Sequence, residues 1–183
     1  MAAVTLFQPC VDWGAVQKVA IVGCGGSGKS YLARELGRLI EAPVIHLDAE
    51  YFDDEWNPLP MEKFEARQHE LVAHARWVID GNYNSTLHVR LQAADTVIFM
   101  DLPTRSCLRG VLARQLRHGR GQNRGSGVFN RITPGVLRYV LGYRRTMRPR
   151  VQAKIDQFAS GAEIIVLTSR RQARLFLSSI PAD

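Results

Sequence analysis

Short apolar runs recur along the chain, and each of them ends at a glycine or a polar residue. The runs hold five or six residues, several of them β-branched, and this pattern is typical of strands buried on both faces of a parallel sheet. We therefore predict strands at residues 18–22, 43–48, 77–81, 96–100 and 163–168.

The segments between these runs carry apolar residues at helical spacing. Leu32, Leu36 and Leu39 follow the first strand and predict an amphipathic helix that ends before Pro43. Strands that alternate with helices indicate an α/β fold with a parallel sheet. Further helices are predicted at about 61–75, 105–117 and 134–158, with a loop rich in glycine and arginine at 118–131.

The composition is that of an ordinary globular chain of 183 residues, with 46% apolar and 22% charged residues. We expect an extension over residues 1–17 and one domain over 18–183. No apolar run has the length of a membrane span, and Met1 to Trp13 has no basic leader, so we expect a cytoplasmic protein. The three cysteines show no CxxC spacing, which argues against a zinc site or a disulfide framework.

The positive charge is concentrated in one segment. Residues 102–155 contain 13 basic residues and no Asp or Glu, whereas the rest of the chain is mildly acidic. A segment of this kind implies an anionic partner. It predicts either a cationic lid that closes over nucleotide phosphates or a surface that binds DNA or RNA.

A phosphate-binding loop lies between the first strand and the first helix. Residues 23–30 read Gly-Cys-Gly-Gly-Ser-Gly-Lys-Ser, which matches the P-loop pattern in its required structural context. The loop amides and the following helix N-terminus favour phosphate, so we expect ATP and Mg²⁺ as cofactors. The predicted nucleotide contacts are Gly23, Gly25, Gly26, Ser27, Gly28, Lys29, Ser30, Tyr31, Arg120 and Arg170.

Two carboxylates end predicted strands at the same edge of the sheet as this loop. Asp80 closes the run Trp-Val-Ile-Asp, the Walker B pattern, and we expect it to hold Mg²⁺ together with Ser30. Asp48 ends the second strand, where a carboxylate can orient and deprotonate an acceptor hydroxyl. Both residues could instead cap a turn or a helix.

The catalytic cations are predicted from the P-loop and the basic segment. Phosphoryl transfer spreads negative charge over the transferred group, and a mobile arginine lid can stabilise that charge and exclude water. The predicted catalytic residues are Lys29, Asp48, Arg117, Arg144 and Arg148.

The order of these motifs resembles a known group of bacterial proteins. The P-loop, the stretch Val-Ile-His-Leu-Asp at 44–48, the stretch beginning Asp-Gly-Asn-Tyr at 80–83, and Asp-Leu-Pro at 101–103 are similar to the "DNA topology modulation protein" group of adenylate-kinase-like P-loop proteins. The resemblance implies the nucleoside-monophosphate-kinase variant of the P-loop NTPase fold. It implies a sheet of order 2-3-1-4-5, an acceptor-binding segment at about 50–76 and an arginine lid at about 105–150.

One departure from adenylate kinases concerns the acceptor. Those enzymes carry Asp-Gly-Phe-Pro-Arg where this chain has Asp-Gly-Asn-Tyr-Asn, so the arginine that grips the acceptor nucleotide is missing at that position. Arg67 and Arg90 are the candidates to replace it.

The sequence favours an ATP-dependent phosphotransferase that acts on a nucleotide or another small hydroxyl or phosphate compound. Hydrolysis of the nucleotide without transfer is a related outcome. The alternatives are an ATP-gated regulator that binds DNA or RNA through the arginine-rich segment, and a toxin of the kinase type.

Overall fold

The computed structural model describes residues 15–119, 121–123, 128–130 and 132–181. Five parallel strands form a sheet of order β2-β3-β1-β4-β7. When the five strands of this sheet are numbered along the chain, the order is 2-3-1-4-5, as the resemblance implied. The strands are β1 (Lys18–Gly23), β2 (Val44–His46), β3 (Trp77–Asp80), β4 (Thr96–Met100) and β7 (Glu163–Leu167).

Helices connect the strands and cover both faces of the sheet. They are α1 (Lys29–Leu39), α2 (Leu47–Tyr51), α3 (Met61–Ala73), α4 (Leu87–Ala93), α5 (Thr104–His118), α6 (Pro134–Phe158) and α7 (Arg170–Ser178), with a 3₁₀ turn at Asn84–Thr86. Within the described part of the chain, no helix is both long and apolar enough to cross a membrane.

Apolar residues of each strand alternate between two hydrophobic layers. In β1, Val19 and Ile21 face the layer shared with α1 and α7, whereas Ala20 and Val22 face the layer shared with α3 and α4. All four side chains are fully buried. This double burial explains why the strand sequences are continuously apolar, because side chains on both faces of a covered parallel sheet are removed from water.

Two differences from the predicted elements concern the second strand and the glycine- and arginine-rich segment. The second strand ends at His46, and Asp48 lies in the first turn of the short helix α2 rather than at the strand end. The segment predicted as a loop contains an antiparallel hairpin of β5 (Gly121–Asn123) and β6 (Val128–Asn130). A three-residue strand carries too weak a pattern to be separated from a glycine-rich loop by sequence alone.

Helix α5 lies directly against the phosphate-binding loop. A Cβ at position 110 would lie 2.0 Å from the carbonyl oxygen of Gly26, and a Cβ at position 26 would lie 2.2 Å from that of Cys107. Only glycine allows the two backbones to approach this closely. The position of the loop therefore depends on two small residues, one on each side of the contact.

Gly110→Ala should destabilise the protein although alanine is the better helix former. The added methyl group would overlap the Gly26 backbone, and overpacking of this kind costs about 1–3 kcal/mol or more. The matched control is Gly142→Ala in α6, where the nearest atom to a new Cβ is 3.9 Å away. That change should raise the free energy of unfolding by up to ~1 kcal/mol through helix propensity. Chemical denaturation of both variants measures the difference, and equal effects would contradict the packing argument.

Candidate active site

The phosphate-binding loop runs from the end of β1 into the start of α1. Gly26 and Gly28 adopt φ angles of 77° and 102°, and Gly28 is the N-cap of α1. These left-handed conformations turn the backbone so that the first amides of the helix are not used within it, which is the arrangement that binds anions. Lys29 is the first helical residue, and its Nζ donates to the carbonyl oxygen of Cys24 at 2.9 Å.

A buried polar atom in the phosphate-binding loop indicates that the loop residues fit a phosphate group. Ser27 is 0% exposed, and its Oγ has no hydrogen-bond partner among the described residues. A buried hydroxyl without a partner is costly in a folded protein unless a ligand supplies one. The loop therefore offers three kinds of group to a nucleotide phosphate: the Ser27 hydroxyl, the first amides of α1 and the side chain of Lys29.

Ser30 and Asp80 meet where a magnesium ion would be held. The Ser30 Oγ donates to Asp80 Oδ2 at 2.7 Å, although the two residues are 50 positions apart. Asp80 is 4% exposed and is the last residue of β3. One carboxylate and one hydroxyl are a fitting protein share for Mg²⁺, which takes its remaining ligands from nucleotide phosphates and water. The described residues contain no group of three or more His, Cys, Asp or Glu side chains that could hold a metal by themselves.

Asp48, in α2, accepts a hydrogen bond from a tyrosine that follows β3. The Tyr83 hydroxyl donates to Asp48 Oδ1 at 2.6 Å, and Tyr83 is held between the rings of Tyr51 and Phe64, with centroids 4.9 and 4.8 Å away. Burial raises the pKa of Asp48 most, while the Tyr83 hydrogen bond and the charges of Lys29 and Arg114 lower it. The charge of the P-loop lysine therefore acts on this carboxylate.

Arg114 is a site residue that the sequence analysis did not select. It follows Cys107, Gly110 and Val111 at spacings of seven, four and three, on the face of α5 that contacts the phosphate-binding loop. Burial lowers the pKa of Arg114, and the charge of Asp48 raises it. Its buried Nε has no hydrogen-bond partner among the described residues. The close contact between Gly110 and the loop was the missing signal, because it shows which face of α5, with Arg114 on it, meets the loop.

Those predicted lid arginines that the structure describes lie at two different places. Arg148 makes a bidentate contact with Asp101, with Nε 2.9 Å from both carboxylate oxygens, and Arg144 lies 3.4 Å from the same group. Arg117 is exposed in the last turn of α5, and Arg120 lies outside the described residues. The contact of Arg144 and Arg148 with Asp101 agrees with a structural role for that carboxylate. A catalytic role for Arg117, Arg144 or Arg148 stays a prediction.

Arg170 and Tyr31 lie at the borders of the phosphate-binding loop. The Nη2 of Arg170 donates to the carbonyl oxygens of Gly26 and Ser106, at 3.0 and 3.3 Å, so it joins α7, α5 and the loop. Tyr31 is 52% exposed in the first turn of α1. Both residues are placed beside the loop, and their contact with a nucleotide stays a prediction.

The two arginines considered for the acceptor have partners within the protein. Arg67 forms ion pairs with Glu50 and Glu70, at 2.8 and 2.9 Å. Arg90 is 0% exposed, and it donates to the side-chain oxygen of Gln68 and to the carbonyl oxygen of Gly81. Burial lowers the pKa of Arg90 to about 9. Arg90 therefore holds the backbone at Gly81, next to Asp80, from inside the protein and not from the surface of a pocket.

Asn82 replaces the phenylalanine of the adenylate-kinase motif and joins the loop to α6. Its Oδ1 accepts from the Gly23 amide at 3.4 Å, and its Nδ2 donates to the Tyr139 hydroxyl at 2.9 Å.

Cys24, next to Gly23, is 1% exposed, and a hydrogen bond with the Cys107 thiol, together with burial, raises the pKa of the Cys24 thiol. Thiolate chemistry at Cys24 is therefore disfavoured.

The chain matches no protein-family profile and no curated protein sequence. Its structure is similar to a shikimate kinase from Acinetobacter baumannii in complex with shikimate, with a TM-score of 0.57, 18% identity and 92% of each chain covered. A sugar kinase from Janibacter has a TM-score of 0.54 and 15% identity, with 89% of this chain and 91% of the other covered. A shikimate kinase from Aquifex aeolicus has a TM-score of 0.51 and 16% identity, with 89% and 92% covered.

These similarities show the fold of the chain. Together with the strand order and the glycine loop, they define the P-loop NTPase fold. At this level of identity the likeness does not transfer a substrate.

The carboxyl group of Asp48 should titrate above its ordinary value of 3.8, because burial disfavours its charged form. The folded protein then binds this proton more readily than the unfolded chain does. The contribution of Asp48 to the free energy of unfolding should therefore rise as the pH falls through the raised pKa, and it should level off below the ordinary value.

Tyr83→Phe should raise this pKa further, because the variant loses the hydroxyl that stabilises the carboxylate. Carbon NMR of the Asp48 carboxyl group across a pH series provides the measurement. Tyr51→Phe is the matched control, since it removes a hydroxyl from the same group of rings without removing that hydrogen bond. An unchanged or lower pKa in Tyr83→Phe would contradict the assignment.

Proposed function

We propose that this chain is an ATP-dependent phosphotransferase that transfers the γ-phosphoryl group to a hydroxyl of a small-molecule acceptor. The observation that carries the proposal is the environment of Asp48. Its carboxylate accepts a hydrogen bond from the Tyr83 hydroxyl and interacts with the charges of Lys29, in the phosphate-binding loop, and of Arg114. The structurally similar kinases, named for shikimate and for a sugar, support an acceptor of small size.

The chemistry of Asp48 favours a hydroxyl over a phosphate acceptor. A hydroxyl oxygen loses its proton as it bonds to phosphorus, and a carboxylate nearby can accept that proton. A phosphate acceptor is already ionised at neutral pH, so it needs no base and would be repelled by a carboxylate. The residues on this side of the loop therefore suit an alcohol.

Each residue then has a distinct part in the reaction. The loop amides and Lys29 bind the β- and γ-phosphates, and Asp48 orients the acceptor hydroxyl and takes its proton. The new bond joins the acceptor oxygen to the γ-phosphorus, the bond from that phosphorus to the ADP oxygen breaks, and the electron pair leaves with ADP. Ser30 and Asp80 would hold Mg²⁺, which neutralises phosphate charge when bound.

The arginines supply positive charge where the transferred group is negative. We assign this part first to Arg114, since it lies on the loop-facing side of α5 and is within electrostatic reach of Asp48. Arg117 and Arg120 are proposed as further residues of the lid, with Arg170 and Tyr31 beside the nucleotide, whereas Arg144 and Arg148 are bound to Asp101. No observation on the described residues favours the alternative in which the basic segment binds DNA or RNA.

Transfer of label from γ-labelled ATP to a panel of small alcohols and nucleoside monophosphates provides the central experiment. We expect a labelled alcohol with the wild-type protein and no product with Lys29→Ala. Asp48→Asn should lower kcat by about 10²–10⁴-fold, because the proton acceptor is lost. The matched control is Asp54→Asn, an exposed aspartate of the same segment, which should leave kcat unchanged.

Two other outcomes would contradict the proposal. Binding of Mg·ATP without transfer of label to any member of the panel would exclude the phosphotransferase. Release of labelled inorganic phosphate at the same rate with and without acceptors would instead indicate a nucleotide hydrolase.

Arg114→Met and Arg148→Met should affect different properties. Loss of Arg114 should slow single-turnover transfer by about 10²–10³-fold, because charge in the transition state loses its partner. Loss of Arg148 should lower the free energy of unfolding by about 1.5–3 kcal/mol, because Asp101 is 7% exposed and would lose its bidentate partner. Chemical denaturation and rapid-quench kinetics of both variants separate the two effects. Equal kinetic losses with unchanged stability would show that Arg148 acts on phosphate as Arg114 does.

A further inference from the structure

His46 is a buried residue beside the candidate metal site that the proposed function does not use. Its Nδ1 lies 2.5 Å from Asp80 Oδ1, and the two residues are 8% and 4% exposed. The sheet register explains this proximity, because His46 and Asp80 are paired residues of the parallel strands β2 and β3. Paired residues on neighbouring strands place their side chains on the same face of a sheet.

We propose that His46 is a positioning residue that sets the orientation of the Asp80 carboxylate. The Nδ1–H of His46 donates to Oδ1, and the opposite oxygen Oδ2 is thereby turned to Ser30. With one oxygen held, the carboxylate cannot rotate about its terminal bond without breaking a hydrogen bond. This inference rests on the proposed function, because it assigns Asp80 to the magnesium site.

The hydrogen bond from His46 to Asp80 comes from strand β2, and this distinguishes it from the hydrogen bond between Ser30 and Asp80. Ser30 belongs to the loop that binds the nucleotide, so its hydroxyl moves with that loop. His46 belongs to the sheet, and its bond to Asp80 does not depend on the conformation of the loop. Hydrogen-bonded residues behind metal ligands fix ligand orientation in this way, and their loss weakens metal binding by about 10–100-fold.

The hydrogen bond between His46 and Asp80 also relates the proposed magnesium site to Asp48, the residue proposed to act on the acceptor. Asp48 follows His46 by two residues, in the first turn of α2. A hydrogen bond between the end of β2 and the end of β3 therefore fixes the separation between Asp48 and Asp80. We expect the loss of this hydrogen bond to weaken the binding of magnesium first, because Asp48 keeps its own hydrogen bond from Tyr83.

The test measures binding of a non-hydrolysable ATP analogue in Mg²⁺ and in EDTA by titration calorimetry. His46→Leu removes the donor, and His46→Asn keeps an amide nitrogen near the Nδ1 position. We expect His46→Leu to lose about 10-fold or more of the affinity gained from Mg²⁺, with binding in EDTA unchanged. His46→Asn should keep most of that gain. His46→Gln, whose amide lies one bond further from the backbone, should behave like His46→Leu and tests the same point without an apolar side chain.

Three results would overturn the inference. The first is a normal magnesium effect in His46→Leu and His46→Gln. The second is an equal loss in His46→Asn and His46→Leu, which would show that the ring fills space rather than donates. The third is weaker binding in EDTA, which would show damage to the phosphate-binding loop. Failure of the proposed function is distinguishable, because it would appear as a lack of transfer from γ-labelled ATP by the wild-type protein, whereas the magnesium effect is measured here without turnover.

Discussion

The parallel pairing of β3 with β1 and β2 is the constraint on which the site depends. Asp80 lies opposite Ile21 of β1 and opposite His46 of β2, so three strand ends meet at one edge of the sheet. The phosphate-binding loop continues from β1, and Asp48 follows β2. A shift of one residue in either pairing would turn Asp80 to the opposite face and separate it from Ser30.

A second constraint comes from the contact between α5 and the phosphate-binding loop. Gly26 and Gly110 bring two backbones within a distance that no side chain would allow, and this contact orients the face of α5 that carries Arg114. Arg148 and Arg144 hold the start of α5 through Asp101, which directly follows β4. The basic segment is therefore divided, with Arg144 and Arg148 paired with Asp101 and Arg114 on the face of α5 that meets the loop.

Several features could be predicted from sequence because they depend on local pattern. Continuous apolar runs predicted the five strands, and the spacing of glycines, lysine and serine predicted the loop at 23–30. The end of the second strand was wrong by two residues, since a three-residue strand followed directly by a helix has no distinct signature. Arg114 was not selected because 12 arginines share one segment, and spacing along a helix does not reveal which face meets the loop.

The sequence by itself determined the class of fold and the chemistry available at the phosphate-binding loop, because strand burial and glycine conformations are encoded by neighbouring residues. Only the tertiary structure decided which distant polar groups meet. His46, Asp80 and Ser30 come from three separate elements, and their hydrogen bonds exist because the sheet register brings those elements together. The same holds for Asp48 and Tyr83, which are 35 residues apart. Contacts of this kind follow from packing over long sequence separations, which no local pattern records.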